Sequence, residues 1–398
     1  MKSAYECIVL GIGGIGSGAL YWLARRLGGE VLGIEQFRLG HDHGGSQDHS
    51  RIIRLSYHAP EYTALTPHTY TAWAEVEAES GMQLVFKTGG LDVGLSGSRG
   101  AAMVGGRAAA MRAHGIPFEE LTAEEAMDRW PQWRLSEGDR VLYQPDSGLV
   151  DARKGMAAQQ ALARAHGAKI VENAPVRRLT AHGDSVEVET DAGRFSARRL
   201  VIAAGAWTAG VTRQLGLNLP ITVTQEQVTY FATPYLREFA PDRFPIWICH
   251  GDEAYYGFPV YGEVATKAGV DVGGDVVTPE TRTFQVNERA DRKLRAFLQR
   301  YLPRSLGPTL YTKTCLYDMP PDRNFIIDTL PDHPHVAVAQ GAAHVFKFSC
   351  LVGRILSQLV LDGRSDYPIA SFTLNRPALT DPTFQPTFRL DWEAPVPA

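Results

Sequence analysis

A glycine-rich turn near the N-terminus constrains the fold of this chain more than any other feature. The turn, GIGGIG at residues 11–16, follows a short apolar run, Cys7–Leu10, and leads into a helical stretch. A second apolar run at 31–34 ends in Glu35. In this order of strand, glycine turn, helix and strand, amides at the helix N-terminus bind a pyrophosphate and the acid binds a ribose hydroxyl. The sequence therefore predicts a dinucleotide-binding βαβ unit.

The choice of dinucleotide depends on the segments that follow. Glu35 argues against NADP, whose 2′-phosphate it would repel, but it does not separate NAD from FAD. The polar loop HDHGGSQDHSRIIRLSY at 41–57 contains Arg51 and Arg54, which would point the same way on a helix. Later, RRLVIAAGAWT at 198–208 is typical of a strand that enters a small-residue turn. Each segment alone is compatible with an ordinary loop or core strand, but together they favour FAD.

Composition excludes several classes of function. The 398 residues include 40 basic and 44 acidic side chains, a net charge of −4 that gives no electrostatic basis for binding nucleic acid or an anionic membrane. No run approaches the ~18 apolar residues of a membrane span, and the N-terminus does not match a secretory signal. Four scattered cysteines form neither a disulfide framework nor a metal-ligand pattern. We expect a cytoplasmic globular protein without a metal site.

Eight further segments carry a family resemblance over essentially the whole chain. They are SRIIR (50–54), KTGGLDVG (87–94), PDSGLV (145–150), AAGAW (203–207), YYGFP (255–259), CLYDMPPDRNFIID (315–328), GAAHVFKFS (341–349) and FTLNRPAL (372–379). In this order and spacing the chain resembles the monomeric sarcosine oxidase and N-methyltryptophan oxidase family of FAD-dependent amine oxidases, and more loosely pipecolate oxidase.

The resemblance implies an α/β (α+β) fold with two domains. A discontinuous Rossmann-type FAD domain would comprise residues 1–85, 146–219 and 315–398. A substrate domain built on a mixed or antiparallel sheet would comprise 86–145 and 220–314. Within the latter, ERADRKLRAFLQRYLP at 288–303 reads as an amphipathic helix. The active site would lie where the two domains meet.

The resemblance also implies the residues that bind FAD. In this family the cysteine of CLYDMPPDRNFIID forms a thioether to the 8α-methyl group of the flavin, so Cys315 is the expected covalent anchor. Without the resemblance, a packed thiol is the simpler interpretation of Cys315. The expected cofactor-binding residues are Gly11, Gly13, Gly14, Ile15, Gly16, Glu35, Gln36, Ser46, Arg51, Val176, Gly205, Trp207, Cys315, Gly341, His344 and Lys347.

Two cations resemble the pair that binds the substrate carboxylate in the family. Arg54 offers a bidentate fork and Lys347 a point charge; the alternative for Arg54 is a surface ion pair. Tyr256 and Tyr317 resemble aromatic residues that line the substrate cavity, with core packing as the alternative, and Tyr317 is also counted among the catalytic residues.

The remaining catalytic residues are expected around the flavin ring. Strand alternation places Lys267 on one face with Asp271, and from sequence alone a solvent-facing lysine is the favoured interpretation. The resemblance makes Lys267 the residue that activates oxygen. Arg51 resembles a residue beneath the ring that restrains the reduced anion. His344, at the start of the helix that follows Gly341, is expected to contribute a donor or to cap a turn.

Three positions depart from the family pattern and bear on the substrate. Asp271 and Gln47 replace histidines, and Glu226 replaces an arginine. With all three placed around the mouth of the site, the hypothesis is that the distal part of the substrate is larger or more basic than in sarcosine. The alternative is that these residues line an entrance and do not contact substrate.

The predicted activity is oxidation of a secondary amino acid by FAD, in a monomer whose partners are this amino acid and dioxygen. Hydride passes to the flavin, the imine hydrolyses, and oxygen is reduced to hydrogen peroxide. A dehydrogenase that passes electrons to a carrier, and a non-catalytic flavin-binding sensor, are the alternatives.

Overall fold

The computed structural model describes residues 2–57, 59–388 and 390, and within them it contains twenty β-strands and nine α-helices. The strands are β1 (Ala4–Leu10), β2 (Val31–Ile34), β3 (Ser50–Ile53), β4 (Val85–Lys87), β5 (Gly90–Gly94), β6 (Glu119–Thr122), β7 (Arg140–Gln144), β8 (Gly148–Asp151), β9 (Lys169–Val171), β10 (Val176–His182), β11 (Ser185–Thr190), β12 (Gly193–Ile202), β13 (Thr222–Phe231), β14 (Ile246–His250), β15 (Ala254–Phe258), β16 (Thr266–Asp271), β17 (Asp275–Val276), β18 (Thr309–Met319), β19 (Ile326–Leu330) and β20 (His333–Gln340). The helices are α1 (Gly14–Leu27), α2 (Pro60–Ser80), α3 (Arg99–Ala113), α4 (Ala123–Arg129), α5 (Ala152–Ala165), α6 (Thr208–Arg213), α7 (Glu288–Tyr301), α8 (Ser349–Asp362) and α9 (Pro377–Thr380). None of these helices is both long and apolar enough to cross a membrane.

The first sheet has eight strands and contains the predicted N-terminal unit. Its order is β10-β11-β12-β1-β2-β9, with β20 beside β12 and β19 beside β20. The central strands β12, β1, β2 and β9 are parallel. Successive residues of β1 enter opposite cores, Cys7 on the side of α1 and Ile8 on the other side. Such burial on both faces is typical of parallel strands covered by helices. The predicted strand–turn–helix–strand order is confirmed.

Helix α8 packs against α1 over the first sheet. Its apolar residues at helical spacing, Leu351, Ile355 and Leu356, are fully buried in the same core as Leu20 and Leu23 of α1. A close approach makes this possible, because a Cβ on Gly353 would lie 2.2 Å from the carbonyl carbon of Gly18. The helix predicted from this spacing is therefore present, and it begins directly after the turn at 341–348.

The second sheet has nine strands and is mixed. Its order is β17-β13-β16-β15-β14-β5-β7-β6, with β18 paired to β13. All its pairings are antiparallel except that of β14 with β5. Helix α7 covers one face, where Leu294, Phe297 and Leu298 pack with Trp247. The mixed sheet and the amphipathic helix at 288–301 agree with the fold class inferred from sequence.

A small third sheet has the strand order β3-β8-β4 and contains most of the SRIIR segment. The SRIIR segment is not helical: Ser50–Ile53 pairs antiparallel with β8, with Arg51 opposite Val150. Helical spacing therefore does not bring Arg51 and Arg54 together. Arg54 lies just beyond the end of the strand.

Some of the predicted domain boundaries lie between secondary-structure elements, and others lie within a strand. The boundary at 145/146 lies between β7 and β8, and that at 219/220 lies between α6 and β13. The boundary at 314/315 divides β18, which pairs with β13 of the second sheet from Thr309 to Met319. Of the proposed FAD domain, residues 1, 58, 389 and 391–398 lie outside the described residues. The domain division stays a prediction.

Candidate active site

A single cavity of about 740 Å³ lies between the first and second sheets. It extends from the glycine turn, past the loop at 44–54, to β16, β18 and the turn at 341–347. Every residue predicted for cofactor or substrate lines it except Gly16. Residues far apart in sequence therefore meet as the resemblance implies.

Gly16 has a structural task in the turn instead. A Cβ at Gly16 would lie 1.7 Å from the carbonyl oxygen of Gly11, and one at Gly11 would lie 2.6 Å from that of Ala203. Gly11 also has a φ of +83°, which L side chains rarely adopt. These two glycines let β1, α1 and the end of β12 approach closely enough to form the turn.

The N-terminus of α1 faces the cavity. It has neither a side-chain cap nor an acidic residue in its first turn, and Gly14 N–H donates to Ser46 Oγ at 3.0 Å. A Cβ at Gly14 would lie 3.0 Å from the Phe346 ring. Such a helix end attracts an anionic group through its amides and dipole.

Glu35 occupies the end of β2, where a ribose-binding acid is expected. It is buried, and its carboxylate accepts hydrogen bonds from Ile12 N–H at 2.8 Å and Phe37 N–H at 3.1 Å. These two bonds fix the carboxylate beside the glycine turn, and Glu35 and Gln36 both line the cavity.

Arg51 holds the loop that precedes β3. Its guanidinium donates to the carbonyls of Gly45 and Ser50, each at 2.9 Å, and to that of Gln47. The amide of Gln47 in turn donates to Thr314 O and accepts from Lys313 Nζ at 2.8 Å. Both polar ends of Gln47 are thus engaged by β18, so its observed contacts fix the loop.

Cys315 lies on β18 and its side chain lines the cavity. Burial raises the pKa of its thiol to about 11, while the nearby Arg51 acts in the opposite direction. The loop at Gly45 approaches β18 closely, since a Cβ there would lie 2.8 Å from Leu316 O. The thiol is therefore confined between the loop and the cavity. The other three cysteines are free and buried in cores or at helix contacts.

Lys267 is buried and forms an ion pair. It lies on β16 with only 2% of its surface exposed, which excludes the solvent-facing interpretation. Its Nζ lies 2.6 Å from Asp48 Oδ2 and donates to Ser50 O at 2.8 Å. Burial lowers the pKa of Lys267 to about 8, and Asp48 opposes this shift.

Arg54 and Lys347 are brought together by an aromatic ring. The guanidinium carbon of Arg54 lies 4.8 Å from the centre of the Tyr57 ring, and Lys347 Nζ lies 5.5 Å from it. Lys347 Nζ donates to Tyr57 Oη at 2.9 Å and to His344 O at 2.8 Å. Burial lowers the pKa of Lys347, and no described carboxylate lies within 4 Å of its Nζ. Arg54 is not a surface residue, because its partner Asp92 is buried.

His344 lies in a turn between β20 and α8. The turn contains Ala342 and Ala343 at positive φ, and the 3-10 turn Phe346–Phe348 separates it from the helix. His344 therefore does not start α8, contrary to expectation. Burial and neighbouring cations lower the pKa of His344 well below its usual value. In the neutral ring, Nε2 lies 3.1 Å from Arg323 O as its donor, which leaves Nδ1 as an acceptor without a described partner.

Asp271 is matched by a cation at its end of the cavity. Arg323 donates to its two oxygens at 3.2 and 3.3 Å, a bidentate pair. Tyr256 and Tyr317 line the same region, and burial raises the pKa of both phenols. Both phenols therefore stay protonated at neutral pH, and Tyr317 donates a hydrogen bond to Tyr256.

Glu226 is not at the mouth of the site, which corrects its predicted placement. It lies on β13, accepts from Thr224 Oγ1 at 2.6 Å and Gly273 N–H at 2.9 Å, and borders a separate, much smaller cavity. Glu226 is paired in register with Cys315 of β18, but its hydrogen bonds with Thr224 and Gly273 hold its carboxylate at the smaller cavity.

Sequence reasoning missed three buried charged residues of the site: Asp48, Asp92 and Arg107. Asp48 has a φ of +94°, and its carboxylate also accepts from Tyr230 Oη at 2.7 Å. A single arginine among the small residues of AAMVGGRAAAM is the signal that could have drawn attention to Arg107. The signal for Asp48 and Asp92 is weaker, since both lie in segments already assigned to other motifs.

The comparisons with known proteins agree with this geometry. The sequence profile of the FAD dependent oxidoreductase family matches residues 6–359. Monomeric sarcosine oxidase of Bacillus sp. (strain B-0618) is 33% identical over 388 residues, covering 96% of this chain and 98% of that protein. N-methyl-L-tryptophan oxidase of Escherichia coli (strain K12) is 30% identical over 380 residues, covering 94% and 99%. The open form of NikD, an unusual amino acid oxidase essential for nikkomycin biosynthesis, superposes with a TM-score of 0.82 at 27% identity, covering 94% of this chain and 98% of that chain.

The fold combines a sheet with parallel central strands, a glycine turn and a second, mixed sheet on the other side of the cavity. These features define the class of oxidoreductases that use a dinucleotide. The chain belongs to the FAD-dependent oxidoreductase family, and it is similar to monomeric sarcosine oxidase and N-methyltryptophan oxidase over nearly its whole length. The family resemblance drawn from the sequence is confirmed.

The residues present fit FAD. The volume of the cavity is within the range of cofactor sites. The uncapped end of α1 and Gly14 suit the pyrophosphate, and Glu35 suits a ribose hydroxyl. Side chains at the glycine positions would occupy the space beside the turn that suits the pyrophosphate, since a Cβ at Gly13 would lie 3.4 Å from Ser46 Oγ.

Proposed function

We propose that this protein oxidises a secondary amino acid, N-alkylated or cyclic, with FAD as cofactor and dioxygen as electron acceptor. The products would be an imine, which hydrolyses to an aldehyde or keto compound and an amine, and hydrogen peroxide. The observation that carries the proposal is the position of Arg54 and Lys347 beside Tyr57, in the same cavity as the glycine turn and Lys267.

Arg54 and Lys347 would bind the carboxylate of the substrate. Lys347 has no carboxylate partner among the described residues, and Arg54 Nε is buried without an acceptor. A carboxylate supplies what both lack, and charge-assisted bonds of this kind are among the stronger contacts in binding sites. Tyr256 and Tyr317 would pack against the rest of the amino acid and donate hydrogen bonds.

The same cations favour the reactive form of the amine. An amine gives up hydride only when it is unprotonated, and nearby positive charge disfavours an ammonium group. Arg54, Arg323 and Lys347 supply this charge, and His344 is neutral with a free acceptor at Nδ1. This nitrogen would accept a hydrogen bond or a proton from the bound amine.

FAD, when bound, supplies hydride acceptance from the amine and electron transfer to oxygen. Lys267 would act at the oxygen step, because a buried ammonium stabilises the negative charge that develops when oxygen accepts an electron. Arg51 would restrain the negative charge of the reduced cofactor, with its other contacts holding the loop in place.

Cys315 would attach the cofactor covalently. Attachment would join Cys315 Sγ to the 8α-methyl carbon in place of one C–H bond, with the S–H and C–H bonds each giving up a proton and the two electrons passing through the flavin to dioxygen. What supports the proposal is a thiol that lines the cavity beside Arg51, which stabilises the thiolate against burial.

The proposal extends to partners and location. A small amino acid and oxygen would be its reactants, the protein would be a monomer, and its four unpaired cysteines suit a reducing cytoplasm.

Anaerobic mixing with a panel of amines tests the proposed function. Sarcosine, proline, pipecolate and N-methylated amino acids should include compounds that bleach the flavin absorbance, and the same compounds should yield peroxide in air. Bleaching without peroxide would favour a dehydrogenase, and a bound flavin that no amine bleaches would favour a sensor.

A further inference from the structure

Arg107 is a buried cation in the cavity that the expected reaction does not use. It projects from α3, has 3% of its surface exposed, and lines the cavity together with Met103 from the preceding turn. Burial lowers the pKa of Arg107 to about 10, so it remains charged at neutral pH. A buried guanidinium requires an anionic partner.

Among the described residues, Asp92 is the one carboxylate within 4 Å of the Arg107 guanidinium, and Arg54 shares it. Arg107 Nε lies 3.4 Å from Asp92 Oδ1, and Arg54 Nη1 lies 3.2 Å from the same oxygen. Asp92 also accepts from Ser56 Oγ at 2.7 Å and contacts His250 Nε2 at 2.8 Å. One carboxylate therefore neutralises only one of two neighbouring arginines. Neither Nε makes a hydrogen bond to a described acceptor, because the contact between Arg107 Nε and Asp92 is an ion pair without hydrogen-bond geometry.

The other charged residues of this region do not provide the missing anion. The Asp271 carboxylate is taken by Arg323, and that of Asp322 by Arg376 Nε at 2.6 Å. Lys347 adds a further cation that has no carboxylate within 4 Å in the part of the chain that the structure describes. Two positive charges, one from the arginine pair and one from Lys347, are therefore left without an anion, whereas a simple amino acid brings one carboxylate.

We propose that the preferred substrate is a secondary amino acid with a second carboxylate on its side chain, such as an N-alkylated acidic amino acid. This inference rests on the proposed function and makes it more specific. Arg54 and Lys347 hold the α-carboxylate, and Arg107 binds the distal carboxylate through the side of its guanidinium that Asp92 and Ser56 leave free. The larger substrate expected from sequence is retained, but the basic group is not, because Glu226 lies elsewhere and Asp271 is paired.

Matched pairs of substrates test the inference on the flavin-loaded enzyme. N-methyl-L-glutamate is compared with N-methyl-L-glutamine, and N-methyl-L-aspartate with N-methyl-L-asparagine, with sarcosine as reference. Stopped-flow bleaching under anaerobic conditions gives a limiting rate and an apparent Kd for each. We expect the ratio of rate to Kd to favour at least one acid over its isosteric amide by about tenfold or more, since a hydrogen bond between charged groups is involved.

Variants then assign the preference to Arg107. Arg107→Met should remove the preference for the acid over the amide, and Arg107→Lys should retain part of it. Arg112→Met on the same helix is the control, because Arg112 is exposed and pairs with Glu120 outside the cavity. The quantity compared between variants is the acid-to-amide ratio of rate over Kd, not the rate itself. The loss of Arg107 also changes the contact of Asp92 with Arg54, which would affect the rate with every substrate.

Failure of the inference and failure of the proposed function are distinguishable. If neutral secondary amino acids bleach the flavin as well as the acids do, or if Arg107→Met leaves the ratio unchanged, the inference is overturned while the oxidase proposal stands. If no amine bleaches the flavin, the proposed function fails and the inference fails with it. If Arg107→Met does not fold, the substrate panel on the unsubstituted enzyme and Arg107→Lys decide.

Discussion

Asp48 Oδ2 lies 2.6 Å from Lys267 Nζ, and both side chains are 2% exposed. Tyr230 and Ser50 complete the surroundings of this pair by donating to Asp48 and accepting from Lys267. Burial alone would raise the pKa of the Asp48 carboxyl, but Lys267 and Arg51 hold it below its usual range. Asp48 therefore stays ionised and helps to keep the proposed oxygen-activating lysine charged.

Substitution of Asp48 should shift the pH dependence of flavin reoxidation. Lys267 has a pKa of about 8, so its ammonium form is lost, and reoxidation should slow, as pH rises through that value. Asp48→Asn removes the group that raises this pKa, so the decline should move about one to three pH units lower. The rate of reoxidation is measured by mixing reduced enzyme with oxygen between pH 6 and 10.

Two further variants serve as the reference without the lysine and as the surface control for this experiment. Lys267→Met should slow reoxidation by about a hundredfold or more at all pH values, with reduction by substrate nearly unchanged. Asp146→Asn is the control, because Asp146 pairs with Lys87 on the surface. An unshifted profile in Asp48→Asn would mean that Asp48 does not govern the charge of Lys267.

Covalent attachment at Cys315 is tested with acid precipitation. The unsubstituted protein should retain its yellow colour in the pellet, whereas Cys315→Ser should release it to the supernatant, because a hydroxyl is too weak a nucleophile to form the bond. Cys249→Ala is the control, since Cys249 is a buried cysteine of β14 outside the cavity. Complete release of flavin from the unsubstituted protein would exclude the tether.

A pair of helical glycines tests the importance of the turn. A Cβ at Gly16 would lie 1.7 Å from Gly11 O, whereas one at Gly106 of α3 meets nothing within 4 Å. Gly16→Ala should therefore displace the turn and lower both flavin content and the melting temperature. Gly106→Ala should leave flavin content unchanged and raise the free energy of unfolding by about 0.5–1 kcal/mol. Equal flavin content in both variants would contradict the role given to the turn.

The parts of this molecule that sequence predicted correctly depend on local patterns. The β1–α1–β2 unit, α7, α8 and the strand of Lys267 each follow from hydrophobic period and turn residues within one segment. The conformation of Arg51 and Arg54 does not, because β3 exists only through pairing with β8, about a hundred residues away. Local spacing could not reveal that pairing.

The electrostatics of the site were the least predictable from sequence. Asp92 on β5 meets Arg54, Arg107 and His250 only after the second sheet has formed. Glu226 shares a strand register with Cys315, yet its side chain is turned to a different cavity. A count of charges gained and lost along the sequence therefore indicated a larger or more basic substrate, whereas the assembled cavity has an excess of cations among its described residues.

Asp318 provides a test of the cavity by pH-dependent stability. It lies on β18, its remaining accessible surface faces the cavity, and burial raises the pKa of its carboxyl to about 7. Unfolding restores an ordinary value near 3.9. Between these values the folded state binds more protons than the unfolded state, so the contribution of Asp318 to stability is present below about pH 4 and is lost as pH rises through 7.

Asp318→Asn should remove this dependence, because the amide keeps an acceptor for the Ala343 N–H but cannot ionise. In protein prepared without flavin, the variant should be more stable than the unsubstituted chain by about 1–3 kcal/mol at pH 8. This free energy is smaller than the full pKa shift of Asp318 would give, because water enters the cavity and screens the carboxylate. At pH 4 the two should be equal within error. Urea unfolding at both pH values measures the difference, with Asp146→Asn as the surface control. A stability difference that does not change between pH 4 and 8 would show that the carboxyl is already solvated, and the cavity would then be open to bulk water at this end.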